Sequence, residues 1–226
     1  MGRTNPSGGQ CSDDESHVGP AEAAPKKKTL YAQEQNAEHR QAWRTEVATL
    51  DAERFVFIDE TSTTTTMTRR YARAPGQTRV YGYVPRNQGT RTTLIAAMAP
   101  DGMGAAMTLP GAADTAAFRV YIEQVLCPTL KPGQIVWMDN LSVHKAPVIQ
   151  ALITGVQCEL RWLPPYSPDF SPIEQAFSKI KTDLRNAAAR TQATLDAAIS
   201  RALERVTAQD AQGWFKHCGY PLAHAT

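Results

Sequence analysis

Two apolar runs in this chain each end on an aspartate, and a third acid opens a helix behind a proline-rich approach. Asp59 follows Phe55-Val56-Phe57-Ile58, and Asp139 follows Ile135-Val136-Trp137-Met138. Glu174 follows Leu163-Pro164-Pro165-Tyr166-Ser167-Pro168-Asp169-Phe170-Ser171-Pro172-Ile173. Short runs this rich in β-branched and aromatic residues read as buried strands. A carboxylate at a buried strand end is costly unless something positive lies beside it. Three such acids from distant parts of the chain suggest a shared divalent-metal site, the usual equipment for cutting or joining a phosphodiester.

Each acid also has a plainer reading. Asp59 and Asp139, followed by Glu60 and Asn140, could cap turns at strand ends. Ser171-Pro172-Ile173-Glu174 fits a capping box, with Ser171 at N-cap, Pro172 at N1 and Glu174 at N3. On the predicted helix, however, Ile173, Phe177, Ile180 and Leu184 form the buried stripe, and Glu174, Ser178, Lys181 and Arg185 form the stripe beside it. That places a carboxylate and two cations on one face, as a metal-and-phosphate surface requires. His144, five residues after Asp139, could contact a phosphate, orient a water or serve as a hydrogen-bonded loop residue. Magnesium takes oxygen ligands, keeps several waters and needs few carboxylates, so three acids suffice for an ion pair.

Charge supports a polyanionic partner by its distribution, not its sum. The net charge of the 226 residues is only +2. From Thr61 to Pro100 there is no Asp or Glu, but there are Arg69, Arg70, Arg73, Arg79, Arg86 and Arg91. Such a block makes a positive surface that attracts DNA, or else a solvated hairpin face. Lys26-Lys27-Lys28 could touch phosphate or be a solvated linker. The four cysteines, Cys11, Cys127, Cys158 and Cys218, have no zinc spacing and read as reduced, mostly buried thiols of a cytosol. There is no apolar run long enough for a membrane span, and the N-terminus lacks the apolar core of a secretory signal.

Residues 1–28 read as a disordered tail, rich in Gly, Ser, Pro and Ala. A polar linker helix over Glu34–Leu50 lies within residues 29–53, with Ala37, Trp43 and Val47 as anchors. Strands are expected at Arg54–Asp59, Val80–Val84, Thr92–Met98, Ala105–Leu109, Ile135–Asp139 and Leu160–Leu163. Helices are expected at Thr115–Leu126, Pro147–Ile153, Pro172–Ala189 and Leu195–Val206. Antiparallel strands followed by alternating helix and strand fit an α/β fold, a mixed central sheet flanked by helices, over residues 54–220, with 221–226 as a tail. No GxSxG elbow and no GxxxxGK[ST] or GxGxxG phosphate loop is present.

Three segments carry a resemblance to a known family. Phe57-Ile58-Asp59-Glu60-Thr61, Met138-Asp139-Asn140-Leu141-Ser142-Val143-His144 and the run from Leu163 to Glu174 resemble the catalytic signatures of IS630 family bacterial transposases, relatives of the Tc1/mariner elements. The 34 residues between Asp139 and Glu174 match the group's DD34E spacing, and the resemblance covers roughly Thr29 to Tyr220. It implies an RNase H-like fold and a catalytic, metal-binding triad of Asp59, Asp139 and Glu174. It implies two Mg²⁺ or Mn²⁺ ions, cut-and-paste transposition into TA targets, and a homodimer on the transposon ends in a bacterial cytoplasm. Water would cleave the element ends, and the freed 3′-hydroxyl would attack target DNA. DNA contacts are expected from Arg69, Arg70, Arg73, Arg91, His144, Lys181 and Arg185.

Family members carry an N-terminal helix-turn-helix region that reads the terminal repeats. Only 58 residues precede Asp59, so the expectation is that this reader is missing and is supplied by an upstream-encoded part. The competing readings are a stand-alone metal-dependent nuclease and a truncated, non-transposing DNA-binding or assembly protein.

Overall fold

The structure, a computed structural model, describes residues 33–76, 78–87, 89–140 and 147–222. The expected N-terminal tail, Cys11, the basic run at 26–28, His144 and most of the C-terminal tail lie outside the described residues.

The chain enters through helix α1 (Ala37–Val47), whose N-cap Asn36 accepts from the His39 N–H. Five strands follow: β1 (Phe55–Thr64), β2 (Arg91–Ala99), β3 (Gly102–Pro110), β4 (Ile135–Met138) and β5 (Glu159–Trp162). They form one sheet in the order β3-β2-β1-β4-β5. The β1–β2 and β2–β3 pairs are antiparallel, and the β1–β4 and β4–β5 pairs are parallel. Helix α2 (Thr115–Val120) runs on through a π turn to Leu126 and, with α3 (Pro147–Gly155), provides the crossovers. Helices α4 (Pro172–Ala187), α5 (Gln192–Glu204) and α6 (Ala208–His217) complete the chain. The expected mixed sheet flanked by helices is the architecture observed.

Strand alternation divides the core in two. Phe55, Phe57, Leu94, Ala96, Met98, Ile135 and Trp137 face Ile173, Phe177, Ile180 and Leu184 of α4 and the apolar sides of α5 and α6. Val56, Ile58, Ile95, Ala97, Val136 and Met138 face Phe118, Tyr121, Ile122, Ile149 and Ile153. Sheet faces covered on both sides explain why β1 and β4 begin as continuous apolar runs rather than alternating ones.

Three expectations need correction. The Val80–Val84 segment is not a strand: it pairs with nothing described, and Val80, Tyr81, Tyr83 and Val84 are all exposed. β-branched and aromatic composition favours a pleated, half-buried surface, and here the fold offers no neighbour to supply one. Next, β1 does not end at Asp59. It continues to Thr64 because β2 pairs with it from Phe57 onward, with Thr64 opposite Arg91, and Thr61 and Thr63 are buried. Finally, Ser171 is the N-cap of α4 but makes no side-chain cap bond, so the capping box is not formed. Glu174 instead donates its backbone N–H to the Ser171 carbonyl at 3.3 Å and leaves its side chain exposed.

Helix α6 has no counterpart among the expected elements. Its signal is local: Thr207 and Asp210 make the reciprocal box that Ser171 and Glu174 do not.

Candidate active site

β1 and β4 pair in parallel with Phe55 opposite Ile135, Val56 opposite Val136 and Phe57 opposite Trp137. Continuing that register by two places sets Asp59 beside Asp139. Both then share the sheet face of Phe57 and Trp137, which is the face that α4 covers. β4 ends at Met138, whose carbonyl accepts the Leu163 N–H at 2.8 Å. The proline-rich segment therefore departs from the strand end next to Asp139. It turns through Pro168–Phe170 and starts α4, where Ile173 is buried against the sheet and Glu174, one residue on, faces out. Asp59 and Asp139 thus lie just beyond the last parallel pair, Phe57 opposite Trp137, on the side of the sheet where open α/β folds place their ligands.

Their electrostatics record the approach. The Asp59 carboxyl is raised to about 7, first by burial, then by the charge of Glu174 and, more weakly, by those of Asp139 and Glu60. The backbone N–H of Glu60, donating to Asp59 Oδ1 at 2.7 Å, opposes the rise. A buried carboxylate among like charges is the arrangement that a cation relieves. An all-oxygen donor set fits a hard divalent ion such as Mg²⁺ or Mn²⁺. The side chains are not drawn together into a closed cage: among the described residues no three Asp, Glu, His or Cys groups converge tightly enough to hold an ion as they stand.

The basic candidates divide. Arg69, Arg70 and Tyr71 line one cleft of about 340 Å³ with Thr182, Arg185 and Asn186 of α4. Arg69 Nε donates to Asn186 Oδ1 at 2.8 Å. Lys181 and Arg185 are half-buried on the α4 stripe that begins at Glu174. Arg73 is exposed further along the same extended segment. Arg91 is not part of this group. It opens β2 opposite Thr64, five rungs from the Asp59–Ala96 pair, and alternation turns it to the other sheet face.

Sequence reasoning missed Arg190. Its guanidinium donates to the Thr65 and Met67 carbonyls at 3.0 and 2.9 Å and to Thr68 Oγ1 at 2.9 Å. It thereby fastens the exit of β1 just before the arginines of the cleft, a role with no local signature. No described helix is long and apolar enough to cross a membrane, and Cys127, Cys158 and Cys218 are free thiols.

The structure is similar to Mos1 transposase structures. It matches the Mos1 strand transfer complex with a TM-score of 0.65 at 14% identity, covering 87% of this chain and 63% of that one. It matches the catalytic domain of Mos1 mariner transposase with a TM-score of 0.60 at 13% identity, covering 80% and 85%. The mariner Mos1 paired end complex with Mg gives 0.64 at 15% identity, covering 88% and 63%. The chain thus spans less than two thirds of the chains in the two complexes but most of the catalytic domain. No curated protein matches it in sequence. The fold is RNase H-like, with the sheet and helices of the Mos1 catalytic domain. The family model described as DDE superfamily endonuclease matches residues 54–196, more than half of the chain and inclusive of all three acids. By fold and by sequence, the chain belongs to the DDE superfamily endonucleases.

Proposed function

We propose that this chain is the catalytic part of a cut-and-paste DNA transposase of the IS630 group. Residues 54–220 are its catalytic domain and residues 29–53 its linker. The observation that supports the reading is the β1–β4 register, Phe57 opposite Trp137, whose continuation by two places aligns Asp59 with Asp139, together with the charge of Glu174 felt at Asp59.

Asp59 offers carboxylate oxygens from within β1, Asp139 from the residue just after β4, and Glu174 from the first turn of α4. A pair of divalent ions bound there supplies Lewis acidity at the attacking and leaving oxygens of a phosphodiester. Lys181 and Arg185, further along the Glu174 stripe, and Arg69 and Arg70 across the cleft hold the phosphates on either side of the cut. The Mos1 structures with Mg and with Mn support these ions as the metals, and the transposon-end complex supports DNA as the partner. The same reading places the protein in a bacterial cytoplasm, as a homodimer on element ends with TA as target. A helix-turn-helix part serves to recognise the ends.

The test is cleavage of supercoiled plasmid by the purified chain with Mg²⁺ or Mn²⁺, alone and fused to the product of an upstream reading frame. Cleavage is expected in wild type and lost in Asp139→Asn. Persistence of cleavage in that variant sinks the triad.

A further inference from the structure

The segment that delivers Glu174 has little backbone structure of its own. Pro164, Pro165, Pro168 and Pro172 supply no N–H, and between β5 and α4 there are only a turn at Pro165–Tyr166 and one 3-10 turn at Pro168–Phe170. Tyr166 stands in the left-handed region with φ of 55°, a conformation that a non-glycine residue keeps only where its surroundings hold it. The position of Glu174 therefore rests on two supports: the burial of α4, with Ile173 packed against the sheet, and what grips residues 165–171 from outside.

Most of that grip comes from α1. Arg40 donates from Nη1 to Ser167 Oγ at 2.6 Å and to Asp169 Oδ1 at 3.0 Å, and from Nη2 to Asp169 Oδ2 at 2.6 Å. This is a two-pronged carboxylate contact, which fixes orientation as well as distance. The Arg40 side chain is only 14% exposed, while Asp169 meets it from the solvent side. Ser167 Oγ passes the connection on to the Pro165 carbonyl at 3.1 Å. Gln35 Nε2 donates to the Tyr166 carbonyl at 2.9 Å. Trp43 stacks on Phe170, with ring centroids 4.6 Å apart and planes 7° from parallel, and the Arg40 guanidinium lies 4.0 Å from the same ring. Tyr220, beyond α6, adds a hydroxyl bond to the Phe170 carbonyl at 2.5 Å. Phe170 precedes Glu174 by one turn of chain.

We infer that Arg40 and Trp43 are positioning residues of the active site: through Asp169, Ser167 and Phe170 they set where the Glu174 carboxylate stands relative to Asp59 and Asp139. The inference rests on the proposed function, since it assigns α1 a task in metal binding. Partners that orient a metal ligand are worth roughly 10- to 100-fold in metal affinity. The Trp43 indole N–H has no hydrogen-bond partner among the described residues, so its contribution is ring stacking and a phenyl ring can replace it.

The test uses the full chain and three measurements: Mn²⁺ affinity from the electron paramagnetic resonance of free Mn²⁺, duplex affinity from fluorescence anisotropy in Ca²⁺, and folding from circular dichroism. Arg40→Gln, Asp169→Asn and Trp43→Ala should each weaken Mn²⁺ binding about tenfold. Duplex affinity should stay within about twofold, because every phosphate-binding side chain remains in place. Trp43→Phe should restore Mn²⁺ binding, and Arg40→Gln combined with Asp169→Asn should be no worse than either alone. Asp169 is half-exposed, so its variant keeps the test available if Arg40→Gln does not fold. Unchanged Mn²⁺ affinity in folded Asp169→Asn and Trp43→Ala overturns this inference alone. A wild-type chain that binds no Mn²⁺ overturns the proposed function and this inference with it.

Discussion

Arg69 and Asn186 are joined across the cleft by a hydrogen bond from Nε to Oδ1 at 2.8 Å, which ties the segment after β1 to the last turn of α4. The bond turns one edge of the arginine and leaves the rest of its guanidinium for a ligand. With Arg70 and Arg185 it forms a cationic wall along α4, the helix that carries Glu174 in its first turn. Replacing Arg69, Arg70 and Arg185 together with Gln should weaken duplex binding and reduce the slope of log K against log salt by about 1 for each phosphate no longer neutralised. Titrating binding across salt concentrations measures this. A slope equal to wild type would remove the cleft from the DNA path.

Asp59→Asn and Asp139→Asn should bind duplex as well as wild type or more tightly in metal-free buffer. Asp139→Asn removes a negative charge from where phosphate is expected, and Asp59→Asn does so fully only above about pH 7, where its raised carboxyl is ionised. The gain should fade as salt rises, since screening shortens the reach of the removed charge. Anisotropy at two ionic strengths distinguishes this from a fold defect, which would weaken binding at both.

Core packing and exposed composition should separate cleanly in stability. Phe177 on α4 is 2% exposed and packs against the sheet, so Phe177→Ala should cost about 3–5 kcal/mol. Tyr83 is fully exposed and has no sheet neighbour, so Tyr83→Ser should change stability by no more than about 0.5 kcal/mol. Urea unfolding of both variants tests the correction at Val80–Val84. A large loss in Tyr83→Ser would return that segment to the sheet.

Asp210 has a pH signature. Its carboxyl is held down at about 2, first by the Lys179 hydrogen bond at 2.5 Å and then by the Thr207 N–H and hydroxyl. A depressed carboxylate stabilises the fold above its unfolded pKa, about 3.9, and that contribution is lost as pH falls through about 2. The pair is partly exposed and screened, so the loss of the helix cap sets the scale. Asp210→Ala should therefore cost about 1 kcal/mol at neutral pH. The difference from wild type should shrink between about pH 4 and pH 2. Thermal unfolding of both proteins across that range measures it, and a pH-independent gap would count against the ionic contribution.

Local chemistry is legible wherever it repeats within a few residues. The apolar runs of β1 and β4, the 3.6-residue stripe Ile173-Phe177-Ile180-Leu184 and the breaks at Asp101-Gly102 and Lys131-Pro132-Gly133 each specify an element without help from the rest of the chain. The residues that flank each acid are local facts of the same kind. Three outcomes are decided only by tertiary structure. β1 runs past Asp59 because β2 is there to pair with it, while Val80–Val84, of similar composition, has no partner and stays out of the sheet. The Ser171 cap is replaced by a grip from α1, whose Arg40 and Trp43 lie more than a hundred residues upstream of the segment they hold. Propensity and periodicity are sums over near neighbours, so a sequence records them directly. Pairing, register and side-chain grip depend on which distant surfaces remain unburied when the chain closes, and only the folded structure supplies those.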